Sequence, residues 1–215
     1  MKQKKLKTKS GTRTKAWRTR ILAAFAVFGL MLAGCSSTPV QNQQEQPEES
    51  SSEPSKVLVA YYSATGNTKK AAEIIAAKTD GTLFEITPQT PYTDEDLNYN
   101  DPNSRVSQEH ADEESQNVAI ETVTPEDFDS YDVIFLGFPI WWNQPAWVID
   151  QFVKDNDFTG KIVYPFGTSA SSSISNSEEV LKAMNPEINW QSAHRFSQSV
   201  NDDEVQEWID SLNLN

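Results

Sequence analysis

Residues 63–68 (SATGNT) place three hydroxyls, a glycine and a carboxamide directly after an apolar run, and this combination suits the binding of an anion. If residues 69–78 continue as a helix, its first amides point outward unpaired, with the positive end of the helix dipole behind them. A phosphate held by neutral donors fits such a turn, because no Walker-type lysine is present. The alternative is an ordinary helix cap at Thr65 or Asn67.

A second candidate segment is 139–145 (PIWWNQP), which follows the apolar run 132–138. Neighbouring residues of an extended segment point in opposite directions, so Trp141 and Trp142 cannot both enter the core. We expect at least one to be partly open, where its face can stack on a planar aromatic ligand. The alternative is that both tryptophans pack against the helix that carries Trp147.

A third candidate segment, residues 168–177 (TSASSSISNS), is rich in small and hydroxyl side chains. Such a loop suits the polar edge of a flat heterocycle, and the alternative is a solvent-exposed turn. Together the three segments match a ligand with a phosphate at one end and an aromatic ring system at the other.

The elements around these segments predict an α/β fold. Short apolar runs alternate with helical periodicity, which indicates a parallel sheet covered on both faces, with ligands bound beyond the carboxyl ends of the strands. Helices are expected after residue 68, from Pro145 and from Asn201. Residues 88–116 form either a functional lid or short helices. An additional edge strand is expected at 118–123. The predicted core strands are residues 57–60, 82–87, 132–138, 161–167 and 190–196.

The first 34 residues predict a lipoprotein signal peptide. Residues 2–20 hold nine Lys/Arg and no acid, and a 13-residue apolar run precedes Gly34 and Cys35. The run is shorter than the roughly 20 residues of a membrane span. Residues 32–35 (LAGC) resemble a lipobox, in which Cys35 is lipidated and becomes the mature N-terminus. Residues 35–55 then form a disordered tether, and 56–215 form one domain.

Charge and residue usage exclude several classes of function. Removal of residues 1–34 leaves nine of the 18 basic residues against 31 acidic ones, a formal charge of −22, so nucleic acid is a poor partner. Cys35 is the only cysteine, which excludes disulfides and thiol chemistry in the exported domain. The two histidines are far apart in sequence and have no cysteine partners, so we expect no metal site.

Three motifs carry a resemblance to a known family: 61–68 (YYSATGNT), 137–142 (GFPIWW) and 166–173 (FGTSASSS). With them the chain resembles the flavodoxins, in particular exported, lipid-anchored bacterial flavodoxin-like proteins. The resemblance implies a three-layer sandwich with a five-stranded parallel sheet in the order 2-1-3-4-5, and noncovalent binding of FMN. The implied FMN contacts are Ser63, Ala64, Thr65, Gly66, Asn67, Thr68, Pro139, Ile140, Trp141, Trp142, Asn143, Thr168, Ser169, Ala170 and Ser173.

The third motif departs from the family pattern, which usually has glycine where this chain has Ala170 and three serines at 171–173. Either flavin binding is weaker there, or the loop uses its amides unchanged. The resemblance implies an electron carrier or a small flavin reductase on the outer side of the cytoplasmic membrane, with a redox donor and acceptor as partners. The acidic surface predicts a low potential for the second electron.

Two other functions compete with this interpretation. One is a ligand-binding or scaffold lipoprotein that keeps the fold without redox turnover. The other is a hydrolase, because residues 167–171 (GTSAS) nearly match a nucleophile elbow. Ser171 replaces its closing glycine, however, and no aspartate lies between Ser169 and His194 in the chain, so the hydrolase has little support.

Overall fold

A computed structural model of the chain describes residues 55–212 and 214. The predicted signal peptide 1–34, the lipidation site Cys35 and all but the last residue of the predicted tether 35–55 lie outside the described residues. Within residues 55–212, no helix is both long enough and apolar enough to cross a membrane.

The centre of the domain is a parallel sheet in the order β2-β1-β3-β5-β6, with β7 also paired to β5. When the short strand β4 is left out of the numbering, this is the predicted order 2-1-3-4-5. The predicted α/β class with helices on both faces is confirmed. Of the strands within residues 55–212, β4 alone is antiparallel, and it pairs with β3. The strands are β1 (Val57–Tyr61), β2 (Thr82–Glu85), β3 (Val133–Trp141), β4 (Gln144–Pro145), β5 (Ile162–Thr168), β6 (Asn189–Trp190) and β7 (His194–Phe196).

The sheet has seven strands where five were predicted, partly because the fifth predicted strand is divided into β6 and β7. β6 pairs with Ile162 and Val163, and β7 pairs with residues 166–168 in a register shifted by one residue. The Ile162 amide donates to the Asp132 carbonyl, on the β3 side of β5. Successive residues of a strand direct their amides to opposite edges, so the nitrogen of Pro165 faces the other edge, where β6 and β7 pair. Proline has no amide hydrogen to donate, which explains the break in the ladder at this point.

β4 accounts for the other additional strand, and it overturns the prediction that Pro145 begins a helix. Pro145 pairs with Ile140 in an antiparallel hairpin. A 3₁₀ turn, Trp147–Ile149, follows, and the α-helix begins only at Asp150. The chain therefore folds back on β3 before it crosses to β5.

Among the described residues, five α-helices cover the two faces of the sheet. β1 divides its side chains between two cores: Leu58 and Ala60 face one core, and Val59 and Tyr61 face the other. α1 and α5 cover the second core, whereas α3 and α4 pack on the first. The helices are α1 (Asn67–Thr79), α2 (Arg105–Ala111), α3 (Asp150–Asp155), α4 (Ser175–Met184) and α5 (Asp202–Ser211).

The central strand β3 needs a glycine at position 137. A Cβ atom there would lie 2.3 Å from Cζ of Phe166, which is buried on the neighbouring strand. Glycine therefore allows the Phe166 ring to cross the sheet surface just below the site. This gives the first residue of the GFPIWW motif a packing role.

Residues 88–116 contain the short helix α2 and a 3₁₀ turn, Glu113–Gln116. This agrees with the predicted alternative of short helices in this segment. The predicted edge strand at 118–123 is wrong. In its place, an isolated antiparallel bridge joins Pro88 to Ile120. The Gln89 amide donates to the Ala119 carbonyl and the Glu121 amide to the Thr87 carbonyl, and the pairing does not extend beyond these two hydrogen bonds.

Candidate functional site

The first loop, residues 62–66, leads from β1 into α1 with an open helix N-terminus. Gly66 has φ of 85°, and a Cβ atom there would meet nothing within 4 Å. Its left-handed conformation, and not crowding, therefore favours glycine. The N-cap residue Gly66 has no side chain, and the first turn of α1 contains no acidic residue. The Ser63 hydroxyl takes the Lys69 amide, so the amides of Asn67 and Thr68 are the ones left available to an anion.

Side chains around this turn support its shape. The Ser63 hydroxyl accepts a hydrogen bond from the Lys69 amide at 3.1 Å. The Asn67 carboxamide donates to the Thr65 hydroxyl, also at 3.1 Å. The Lys69 ammonium pairs with Glu85 at 3.2 Å. Because that lysine is paired with Glu85 on β2, the hydrogen-bonding groups of this loop are the neutral side chains and backbone amides.

The second loop is a two-residue hairpin turn between β3 and β4. Its central residues, Trp142 and Asn143, have φ of 46° and 64°. Positive φ at both central positions is typical of a type I′ turn, whose twist matches the twist of the strands. Asparagine tolerates this region, whereas tryptophan rarely adopts it, so Trp142 is held in a strained conformation beside the cleft.

The two tryptophans have the different exposures that the sequence predicted. Trp141 is half-buried, and its ring makes edge contacts with Trp147 at 4.9 Å and with Tyr92 at 5.5 Å between ring centres. Trp142 is 37% exposed and stacks on His110 at 4.2 Å with an angle of 12° between the ring planes. One indole is therefore anchored in an aromatic cluster, while the other lies at the surface.

The third loop, residues 169–173, is organised by Arg195 of β7, a residue that the sequence analysis did not select. Nε of Arg195 donates to the Ser169 hydroxyl and to the Ser172 carbonyl, both at 2.9 Å. The Ser169 hydroxyl in turn donates to the Ser172 carbonyl at 2.7 Å. Only the pairing of Arg195 with Gly167 across β7 and β5 brings the guanidinium there, and no sequence spacing indicated it.

These contacts leave the hydrolase alternative without a base. The partner of the Ser169 hydroxyl is a guanidinium, which stays protonated and cannot accept a proton. His194 instead packs on Trp208 at 4.9 Å and on Phe196 at 4.5 Å. Burial lowers the pKa of His194, in keeping with this aromatic setting.

The three loops meet in one cleft of about 510 Å³ at the carboxyl ends of β1, β3 and β5. Eleven of the fifteen predicted binding residues line it: Ala64, Thr65, Asn67, Pro139, Ile140, Trp141, Trp142, Asn143, Thr168, Ser169 and Ala170.

Four predicted binding residues do not line the cleft. Ser63 and Gly66 shape the first loop, and Thr68 is buried, with its hydroxyl bonded to Thr168. The Ser173 hydroxyl accepts a hydrogen bond from the Ser175 amide at the start of α4. These four residues therefore support the loops of the cleft without lining it.

The cleft is also lined by Ser171 and Ser172 of the predicted third segment, and by residues that no predicted segment of the cleft contained: Leu97, Tyr99, Val106 and Gln198. Leu97, Tyr99 and Val106 belong to the 88–116 segment, and they form an apolar wall. The side chain of Tyr99 is 70% exposed. Neither alternative stated for this segment indicated an apolar wall or these residues.

A buried carboxylate holds this wall in place. Glu109 on α2 accepts hydrogen bonds from Tyr92 at 2.6 Å, from Trp147 at 2.8 Å and from Arg105 at 2.7 Å. Burial, reinforced by the Glu109 contact, raises the pKa of Tyr92 far above its usual range. The Tyr92 hydroxyl therefore remains a hydrogen-bond donor, and the hydrogen bonds to Glu109 tie α2 to Tyr92 and Trp147.

Among residues 55–212, no group of acidic, histidine or cysteine side chains could hold a metal ion.

Comparison with known proteins agrees with this geometry. A family model for flavodoxin matches residues 56–212. The chain belongs to the flavodoxin family. No curated protein matches it at a significant level.

Among solved structures, this flavodoxin-family chain is similar to candidate flavoproteins from two Bacteroides species. The protein from Bacteroides eggerthii is 40% identical with a TM-score of 0.69, over 75% of this chain and 99% of that one. The protein from Bacteroides uniformis is 41% identical with a TM-score of 0.67, over 74% and 99% of the two chains. A flavoprotein from Lactobacillus acidophilus, solved in complex with FMN, shares the fold at 23% identity and a TM-score of 0.52, over 72% and 99%.

Proposed function

We propose that this chain binds FMN noncovalently in the three-loop cleft and works as an electron carrier or small flavin reductase. The observation that carries the proposal is the convergence of an open helix N-terminus, a partly exposed indole and a polar loop on one cleft. The flavodoxin-family match and the FMN complex of the Lactobacillus acidophilus flavoprotein support the choice of ligand.

The first loop would hold the phosphate of FMN. The Asn67 and Thr68 amides at the start of α1 and the positive φ of Gly66 fit an anion approaching the backbone. Thr65 and Asn67 line the cleft beside them and add neutral donors. Because Lys69 is paired with Glu85, the loop suits the phosphate of a mononucleotide better than the chain of charges in a triphosphate.

The second and third loops would hold the ring system of FMN. Bound FMN supplies the electron chemistry, and the protein supplies position and potential. Residues 139–143 contribute the two indoles to the lining of the cleft, and residues 168–172 contribute small side chains and backbone. Trp142, at the surface end, would restrict access of solvent and partners to the ring.

The acidity of the chain bears on the proposed potential. Negative charge near the ligand disfavours the anionic reduced form, so we expect bound FMN to take up its second electron at a lower potential than free FMN. A dithionite titration of the loaded protein measures this. A midpoint at or above that of free FMN would refute the electrostatic part of the proposal.

We also propose that the domain is exported and anchored to the outer side of the cytoplasmic membrane by lipid on Cys35. The basic and apolar segments before a lipobox-like LAGC sequence support this location. Replacing Cys35 by Ala is expected to move the protein from the membrane fraction to the soluble fraction. Continued membrane association of that variant would exclude the lipid anchor.

An absorption spectrum tests the central proposal directly. The purified full chain, mixed with FMN in detergent solution and separated from free ligand, should keep a yellow chromophore in a one-to-one ratio. A colourless protein that shows no heat of binding with FMN would instead favour the non-redox scaffold lipoprotein.

A further inference from the structure

We propose that Arg195 is a positioning residue that turns the third loop into a hydrogen-bond donor surface for the carbonyl-bearing edge of the flavin ring. The proposal rests on the proposed FMN binding, and it concerns how this chain compensates for the glycine that its third loop lacks. Arg195 itself does not line the cleft.

The guanidinium contacts four acceptors of one short loop. Nε donates to the Ser169 hydroxyl and the Ser172 carbonyl. Nη2 donates to the carbonyls of Ser169 at 3.4 Å and Ala170 at 3.3 Å. Three of the four acceptors are main-chain carbonyls, so the arginine fixes the path of the backbone. A planar fork of donors with fixed geometry can do this, whereas a lysine ammonium is a single point of contact.

The peptide units then face in a defined direction. In a trans peptide the carbonyl of one residue and the amide of the next point opposite ways, and the described residues contain no cis peptide. Because the carbonyls of residues 169, 170 and 172 point to Arg195, the amides of residues 170, 171 and 173 point away from it. Residues 168–172 line the cleft and Arg195 does not, from which we infer that the amides of residues 170 and 171 face the cleft. The arginine therefore directs donors toward the ligand.

Strand β7 fixes the position of the arginine. His194 and Phe196 pack together with Trp208 on the α5 side of the sheet. Alternation along the strand therefore directs Arg195 to the opposite side, beneath the third loop. The Ser169 amide also donates to the Phe196 carbonyl at 3.3 Å, which joins the loop directly to β7. The loop is thus ordered before any ligand arrives.

This arrangement suits an electron-rich, carbonyl-bearing ring edge. Amide donors complement carbonyl and ring-nitrogen acceptors, and a positive charge behind them favours negative charge on the cleft side. Pre-ordering also reduces the entropy that binding must overcome. Arg195 thereby works against the acidic surface, and its removal should lower the midpoint potential of bound FMN further.

The test compares Arg195→Gln, Arg195→Lys and two reference variants in the full chain, with FMN and riboflavin as ligands. We expect Arg195→Gln to weaken both ligands by a similar factor of about ten or more, because binding must then order the third loop, which the arginine no longer holds. Arg195→Lys should be intermediate. Thr65→Ala should weaken FMN and leave riboflavin unchanged, and Lys182→Gln, which removes an exposed charge on α4, should change neither.

Several results would overturn the proposal. Wild-type affinity for both ligands in Arg195→Gln would exclude a positioning role, and full affinity in Arg195→Lys would exclude the need for the planar fork. A midpoint potential that rises in Arg195→Gln would contradict the charge effect.

A ligand-free readout separates this inference from the proposed function. In the ligand-free protein, Arg195→Gln should broaden or multiply the amide NMR resonances of residues 169–173, while the resonances of α5 stay unchanged. If wild-type protein fails to bind FMN, the proposed function fails, yet the loop test still decides the role of Arg195. Unchanged loop resonances would overturn that role.

Discussion

The Thr68 hydroxyl lies 2.7 Å from the Thr168 hydroxyl, and this buried hydrogen bond joins the first loop of the cleft to the third. The two residues are 100 positions apart in the chain, and both are nearly inaccessible to solvent. Either hydroxyl can donate, so the pair is satisfied without water. The contact fixes the distance between the phosphate end and the polar-edge end of the cleft.

Breaking this pair on one side should cost more than removing it altogether. Thr68→Val leaves a buried hydroxyl without its partner, and we expect the free energy of unfolding to fall by about 1–2 kcal/mol. Thr168→Val should behave alike. The double variant should lose clearly less than the sum of the two, as measured by urea unfolding. Strictly additive losses would show that the two hydroxyls are not coupled.

Gly66 can be tested against a matched glycine. Gly66 and Gly160 both have positive φ with open space around a built Cβ, but only Gly66 belongs to the first loop. Replacing either by alanine should lower the free energy of unfolding by about 1 kcal/mol, the cost of the left-handed conformation. Only Gly66→Ala should also weaken FMN in calorimetry. Equal FMN affinity in the two variants would argue against a phosphate at this turn.

Trp142 should contribute to binding more than to stability. Asparagine accepts its positive φ, so Trp142→Asn relieves strain while it removes the stacking on His110. We expect the free energy of unfolding to stay within about 1 kcal/mol of the wild type and FMN affinity to fall about tenfold. Trp142→Phe should keep most of the affinity. Undiminished affinity in Trp142→Asn would show that Trp141 alone covers the ring.

Glu109 should hold the apolar wall of the cleft in place. Glu109→Gln leaves Arg105 without its ion pair and weakens two further hydrogen bonds, so the free energy of unfolding should fall by about 2 kcal/mol. Limited proteolysis should then cut within 88–116 sooner. Glu113→Gln, an exposed change in the same segment, serves as the control. Equal protease resistance in the two variants would rule out the anchoring role.

His194 should make stability depend on pH. Burial lowers its pKa in the folded protein, whereas the unfolded chain binds the proton near pH 6.5. Its contribution is thus fully present above that pH and is lost as the pH falls toward the lowered value. Urea unfolding at pH 7.5 and 5.5 should show a smaller loss for His194→Gln than for the wild type. An identical loss would assign the dependence to other groups.

The sequence alone determined the α/β class and the three loops of the cleft, whereas the order of the core strands came from the resemblance to the flavodoxins. Local patterns carry this information: apolar runs such as 57–60 mark buried strands, and glycine with hydroxyl residues at 63–68 marks a turn into a helix. The topology rule for parallel sheets then brings the loops together. Adjacent Trp141 and Trp142 also predicted one open indole, because neighbours in an extended segment alternate.

The tertiary structure decided the contacts that depend on register between distant segments. Arg195 reaches the third loop only because β7 pairs with β5, and Pro165 divides the outer strand only because its missing amide faces that edge. The Thr68–Thr168 bond and the Glu109 network likewise join segments far apart in the chain. Sequence spacing carries no information about such pairs, since packing and strand register bring them together.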